Sequence, residues 1–188
     1  MNRTEILELC KKYYIASGKG AVRIAGGESC IIVRPALIGF ENEDVTYIRS
    51  ETDGVLSVSF FGKEGYNLTS VSSEYAEGDY IYVREAYWKE NGKVRYFSDF
   101  VPGDSFIRNK VIAGRFMPKA TARLFLKVKK VGLRRLKCFG FDEIHKYGFN
   151  NFEEFFAEYD SALSEREYEF SSSKDNPYVF VYVCERIQ

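Results

Sequence analysis

Two dipeptides, Asp53-Gly54 and Asn91-Gly92, each stand between runs of strand-favouring residues. A tight two-residue hairpin needs positive φ at both central positions, which Asn, Asp and Gly tolerate best. Residues 45–50 and 55–61 therefore read as the arms of one hairpin. Residues 80–88, opened by Gly78-Asp79, and 93–97 read as the arms of a second. Between the hairpins, residues 62–73 are rich in Gly, Ser and Asn and read as loop.

Other segments fill in around these hairpins. Cys30-Ile-Ile-Val33 is a short buried strand ended by Pro35, and residues 178–184 are apolar on both faces, as a central strand would be. Residues 100–114 lack a steady period and read as a long loop. A strand over 122–131 places Ala122, Leu124, Leu126 and Val128 on one face and Arg123, Lys127 and Lys129 outward on the other, with Phe125 between them. Thr4 can cap a first helix that stops before Gly18-Lys-Gly20. Asp142 can cap a short helix ended by Gly148. A further helix over 151–163 carries the stripe Phe152, Phe155, Phe156, Tyr159 and Leu163. The expectation is one α+β domain, with a curved or closed sheet and helices packed outside.

Composition limits the functional classes. At 188 residues with 45% hydrophobic and 16% aromatic content, the chain can build a sizeable core and is not a disordered one. Fourteen Tyr and sixteen Phe suit strands and can also stack on bases. Cys10, Cys30, Cys138 and Cys184 form no CxxC pair, and His145 is the single histidine. A His-based metal site or a Ser-His-Asp triad is therefore not expected, and neither a metal nor a cofactor is required. No apolar stretch suits a signal peptide or a membrane span, so a cytoplasmic protein with free thiols and no membrane partner is expected.

Charge is segregated although the net charge is zero. From Arg108 to Lys137 there are eleven Lys or Arg residues and no Asp or Glu, with Asp104 and Asp142 beyond either end. Such a run either gathers positive potential for a polyanion or forms solvated faces paired with neighbouring acids.

Four segments in register carry a family resemblance. They are Glu77-Gly-Asp-Tyr-Ile-Tyr-Val-Arg-Glu85, Arg115-Phe-Met-Pro-Lys-Ala-Thr-Ala-Arg123, the acidic helix around 152–161, and Asn176-Pro-Tyr-Val-Phe-Val-Tyr-Val-Cys-Glu-Arg186. Together they resemble the ASCH-domain branch of the PUA-like superfamily, in its phage- and prophage-associated form. The match covers roughly residues 77–187, while residues 1–76 diverge. The resemblance implies a PUA-like β-barrel with flanking helices. It also implies a cleft beside that barrel holding RNA or a nucleotide-like ligand. Lys19, Arg23, Arg84, Arg115, Lys119 and Arg123 would then contact phosphates, and Tyr82, Tyr87, Trp88 or Phe116 would stack on a base.

Some ASCH proteins are amidohydrolases acting on an acylated cytidine through a Lys, a hydroxyl nucleophile and a Glu. By position, Glu85 matches that glutamate, Lys19 is the candidate lysine and Ser29 the candidate hydroxyl. Lys19 and Ser29 come from two alternative alignments of the N-terminal part. Read from the residues alone, Glu85 shares a strand face with Ile81, Val83 and Tyr87 and points to the apolar side. A buried carboxylate is either prepared for acid–base work or held in a structural ion pair with an arginine. A third possibility is a phage assembly or host-interaction protein that contacts another protein.

Overall fold

The computed structural model describes residues 1–36, 45–100, 111–163, 167 and 171–187. In chain order the helices and strands are α1 (Arg3–Leu9), β1 (Lys12–Ile15), α2 (Gly18–Gly26), β2 (Ser29–Pro35), β3 (Thr46–Thr52), β4 (Val55–Phe61) and β5 (Asn67–Ser72). They continue with β6 (Tyr80–Arg84), β7 (Tyr87–Glu90), β8 (Lys93–Tyr96), β9 (Phe125–Arg135), α3 (Phe141–Lys146), α4 (Phe152–Ser161) and β10 (Tyr178–Arg186). The class is α+β, and no ring of paired strands closes among the described residues. The chain forms two compact units. Unit 1 comprises Met1–Cys30, Asp79–Lys127 and Glu185–Gln188; unit 2 comprises Ile31–Gly78 and Val128–Cys184.

In unit 1, α1 starts two residues earlier than Thr4 suggests. Asn2 accepts the Glu5 N–H at 3.0 Å while the Glu5 carboxylate accepts the Asn2 N–H at 2.9 Å, closing a reciprocal cap. Gly18-Lys-Gly20 does not stop a helix but opens one. The Ser17 hydroxyl accepts the Gly20 N–H at 2.9 Å, and α2 runs on from there. Parallel pairing of β1 with β6 matches Lys12 with Ile81 through Ile15 with Arg84, and β6 pairs antiparallel with the start of β9. Ile6, Cys10, Tyr82, Tyr87, Met117 and Phe125 are buried together as the core of this unit.

The strand expected over 80–88 is broken in two at Glu85-Ala86. Beyond the break, β7 pairs with β8 in a separate two-stranded ribbon, turned by Asn91 at φ +50° and Gly92 at φ +76°. Neighbouring backbone groups fix the interruption. The Ala16 N–H donates to the Arg84 carbonyl at 2.9 Å, and the Phe97 N–H donates to the Ala86 carbonyl at 2.8 Å. Gly114 presses against the same place: a Cβ there would lie 3.1–3.3 Å from backbone atoms of Arg84 and Glu85.

In unit 2, β3, β4 and β5 form a three-stranded sheet. Its first turn holds Asp53 at φ +51° and Gly54 at φ +74°, as the dipeptide dictates. Strand β5 occupies part of the 62–73 segment read as loop. Its polar face is bound by hydroxyl pairs instead of apolar contact, Ser57 with Ser72 at 2.8 Å and Ser59 with Ser70 at 2.9 Å. Strands β9, β10 and β2 are neighbours in that order, so β10 is an interior strand, as its two apolar faces require. Gly140, not Asp142, precedes α3, and Gly148 at φ +83° ends the turn after it. The Asn151 side chain caps α4 by accepting the Glu154 N–H at 2.8 Å. Phe155 and Tyr159 of α4 are buried with Leu136, Phe139, Ile144, Phe149, Val179 and Val181. Phe152, Phe156 and Leu163 pack around them, so the predicted stripe faces the core. Each such buried ring contributes roughly 1.5–3 kcal/mol.

Candidate functional site

Glu85 stands at the break between β6 and β7, in unit 1, and is 1% exposed. Its N–H points at the Met117 Sδ at 3.3 Å, so the Arg115–Arg123 segment is anchored on it. The side chain does not lie free against apolar groups. Arg123 Nε donates to Glu85 Oε1 at 2.9 Å and Arg123 Nη2 to Oε2 at 3.2 Å, a two-pronged ion pair. The Ser98 hydroxyl also donates to Glu85 Oε2, and its oxygen accepts from Arg123 Nη2 at 2.8 Å. Arg123 Nη1 donates to Asp99 Oδ2 at 2.7 Å, and the guanidinium sits 4.0 Å from the centre of the Tyr96 ring. The Tyr96 hydroxyl donates to the Thr121 carbonyl at 2.7 Å.

The electrostatic consequence is a fixed charge cluster. Burial pulls the Arg123 guanidinium downward, but hydrogen bonds to Glu85 and Asp99 outweigh it and hold the group above its ordinary range. Burial likewise pushes the Tyr96 phenol up, opposed by Arg123. Glu85 is thus a buried carboxylate held in an ion pair with an arginine. The outward direction expected for Arg123 fails because β9 begins only at Phe125. Arg123 lies on the irregular approach to that strand and turns back to Glu85.

A second group of residues in unit 1 gathers around half-buried Arg84. The Arg84 guanidinium lies 3.7 Å from the centre of the Tyr13 ring and donates to the Tyr82 hydroxyl at 2.9 Å and to the Arg115 carbonyl at 3.1 Å. Arg115 is exposed, with its guanidinium 5.2 Å from the centre of the Phe116 ring. Phe116 itself is 67% exposed and Tyr13 42% exposed. Two ring–cation pairs, Tyr13 with Arg84 and Arg115 with Phe116, are thus joined through the bond from Arg84 to the Arg115 carbonyl.

The remaining candidates are placed as follows. Lys19 is exposed in the first turn of α2 and has no hydrogen bond or ion pair among the described residues. Arg23 is half-buried near the end of that helix, and Ser29 is half-buried as the first residue of β2. Lys19 and Ser29 make no hydrogen bond to each other. Helix α2 does pack against the turn Phe97–Asp99 that carries Ser98. Lys119 is half-buried in the turn Lys119–Thr121, and Trp88 is half-buried on β7 opposite Arg95. Of the other stacking candidates, Tyr82 and Tyr87 are core residues.

Within the charge run, Asp104, Arg108 and Lys110 lie outside the described residues, as does the 101–110 part of the expected loop. The rest divides between the units. In unit 2, Arg134 is paired with Glu143, Arg135 donates to the Asn176 carbonyl at 3.1 Å, and Lys137 Nζ donates to the Lys174 carbonyl at 2.9 Å. These cations hold turns together. Sequence reasoning missed Tyr13, Tyr96, Ser98 and Asp99, whose side chains carry no recognisable spacing. The break at Glu85 that gathers the last three is not encoded locally.

Among the described residues, no group of three His, Cys, Asp or Glu side chains is placed to hold a metal ion, and no helix is long and apolar enough to cross a membrane. No protein-family model, curated protein or solved structure matches this chain.

Proposed function

We propose that unit 1 binds RNA or a nucleotide-containing ligand on the surface formed by Tyr13, Arg84, Arg115 and Phe116. The observation that carries this reading is the exposure of both rings beside guanidinium groups, with that of Arg84 held by its contact with Tyr13 and its bonds to Tyr82 and the Arg115 carbonyl. An exposed ring beside a cation offers a base its stacking partner and the adjoining phosphate its counter-charge. The Glu85–Arg123–Asp99 cluster serves as the rigid support beneath the Arg115–Arg123 segment. The family resemblance points the same way and brings with it a PUA-like barrel, a cytoplasmic setting and a phage or prophage origin.

Titration of labelled single- and double-stranded RNA across a salt series tests the reading. Binding should weaken steeply with salt, and Phe116→Ala should cost about 1–3 kcal/mol for each base stacked there. Arg115→Ala should reduce the salt slope by about 1. Absence of binding even at low salt rejects the proposal.

The amidohydrolase reading draws on the burial of Glu85 and on its bond to the Ser98 hydroxyl. Incubation with N4-acetylcytidine distinguishes the two. Cytidine release abolished by Glu85→Gln favours hydrolysis, whereas RNA affinity without turnover favours a binding module.

A further inference from the structure

We propose that two copies of this chain associate through strand β3, pairing antiparallel about Ser50 so that their three-stranded sheets join edge to edge. Among the described residues the strand is the end member of the order β3-β4-β5, and all seven of its residues are exposed, Ile48 at 66%. An open edge presents unused N–H and C=O groups and is a template for another strand.

The pairing within the sheet determines which groups are offered. The Leu56 carbonyl accepts the Ser73 N–H at 2.8 Å, so Leu56 directs its backbone toward β5. Backbone direction alternates along a strand, so Val55, Ser57 and Ser59 direct theirs toward β3. The residues opposite them, Thr52, Ser50 and Ile48, answer that pairing. Tyr47, Arg49 and Glu51 therefore turn their N–H and C=O groups to the open edge.

Charge then selects one register. With Ser50 opposite Ser50 of the second copy, Arg49 faces Glu51 and Glu51 faces Arg49, both as hydrogen-bonded pairs. Slipping by two residues in one direction sets Arg49 against Arg49; in the other it sets Glu51 against Glu51. Slipping by one residue mismatches the backbone groups. Neither Arg49 nor Glu51 has an ion-pair partner among the described residues. The selected register is two-fold symmetric, so it closes as a dimer instead of growing into a filament. Ile48 lies opposite Thr52 in the pair and loses part of its exposure to water.

Sedimentation equilibrium of the full chain over a wide concentration range tests this. The mass should rise from one chain toward two, as expected for a weak dimer built on one strand edge. Arg49→Glu and Glu51→Arg should each weaken the dimer by about tenfold, and the double exchange should restore it. Both positions are exposed, and far-UV circular dichroism of each variant confirms folding. At high concentration, amide exchange at Arg49 and Glu51 should slow while that at Val58 is unchanged. A monomer throughout, or a dimer indifferent to both single exchanges, overturns the proposal. Failure of the double exchange to rescue overturns the register.

Discussion

Removal of Arg123 by Arg123→Ala is the most direct probe of the charge cluster. Glu85, 1% exposed in the intact protein, would keep its Ser98 bond but lose both bonds from the guanidinium. Stripping one partner from a buried pair costs about 3–5 kcal/mol, because the other charge is stranded. The Tyr96 contact adds roughly 0.5–1 kcal/mol. The Asp99 pair adds little, since that carboxylate is 56% exposed. The whole effect is a large share of a typical stability of about 5–15 kcal/mol. Trp88 is the only tryptophan and lies in unit 1, so urea unfolding followed by its fluorescence reports on that unit. With a slope of about 2–3 kcal/mol per molar urea, the midpoint should fall by roughly 1–3 M. Adding Glu85→Gln to Arg123→Ala should recover most of the loss, because no buried charge is then stranded. A midpoint shift under about 0.3 M, or a double variant whose losses simply add, would refute the reasoning.

Two further outcomes follow from packing and burial. Burial holds the Tyr75, Tyr159 and Tyr182 phenols of unit 2 well above their ordinary value of 10.0. Raised folded values mean the stability they supply is complete below pH 10 and lost above it. Each should lower the unfolding free energy by about 1.4 kcal/mol per pH unit beyond that point, and urea midpoints unchanged between neutral pH and pH 11 would contradict this. Gly114→Ala should destabilise by about 1–3 kcal/mol, since its Cβ meets backbone at 3.1–3.3 Å. In contrast, Gly26→Ala, with nothing within 4 Å, should be neutral or mildly stabilising, and paired thermal melts distinguish them.

Particular residues mark how far the sequence could be read. Asp53-Gly54 and Asn91-Gly92 set both hairpins because the required positive φ is a local property. The α4 stripe was equally legible, since one periodicity decides its buried face. Strand β5 was not, because Ser70 and Ser72 are satisfied by serines on β4 that no local pattern reveals. The start of α2 was misread because Gly18 and Gly20 suggest a stop, while the Ser17 cap that overrides them is a single hydroxyl. The inward placement of Glu85 was readable from alternation. Its partners were not, since Arg123 is 38 residues away and turns inward only because β9 starts late.

The two units interleave along the chain, and this bears on how the molecule is made. Unit 1 needs its closing residues: the Arg186 N–H donates to the Glu28 carbonyl at 2.8 Å and the Ile187 N–H to the Phe125 carbonyl at 3.0 Å. During synthesis its first helices must therefore wait for a strand end encoded more than 150 residues later. Neither unit can be cut from the gene as one uninterrupted stretch. Any graft or split of this protein must carry several crossings of the chain together.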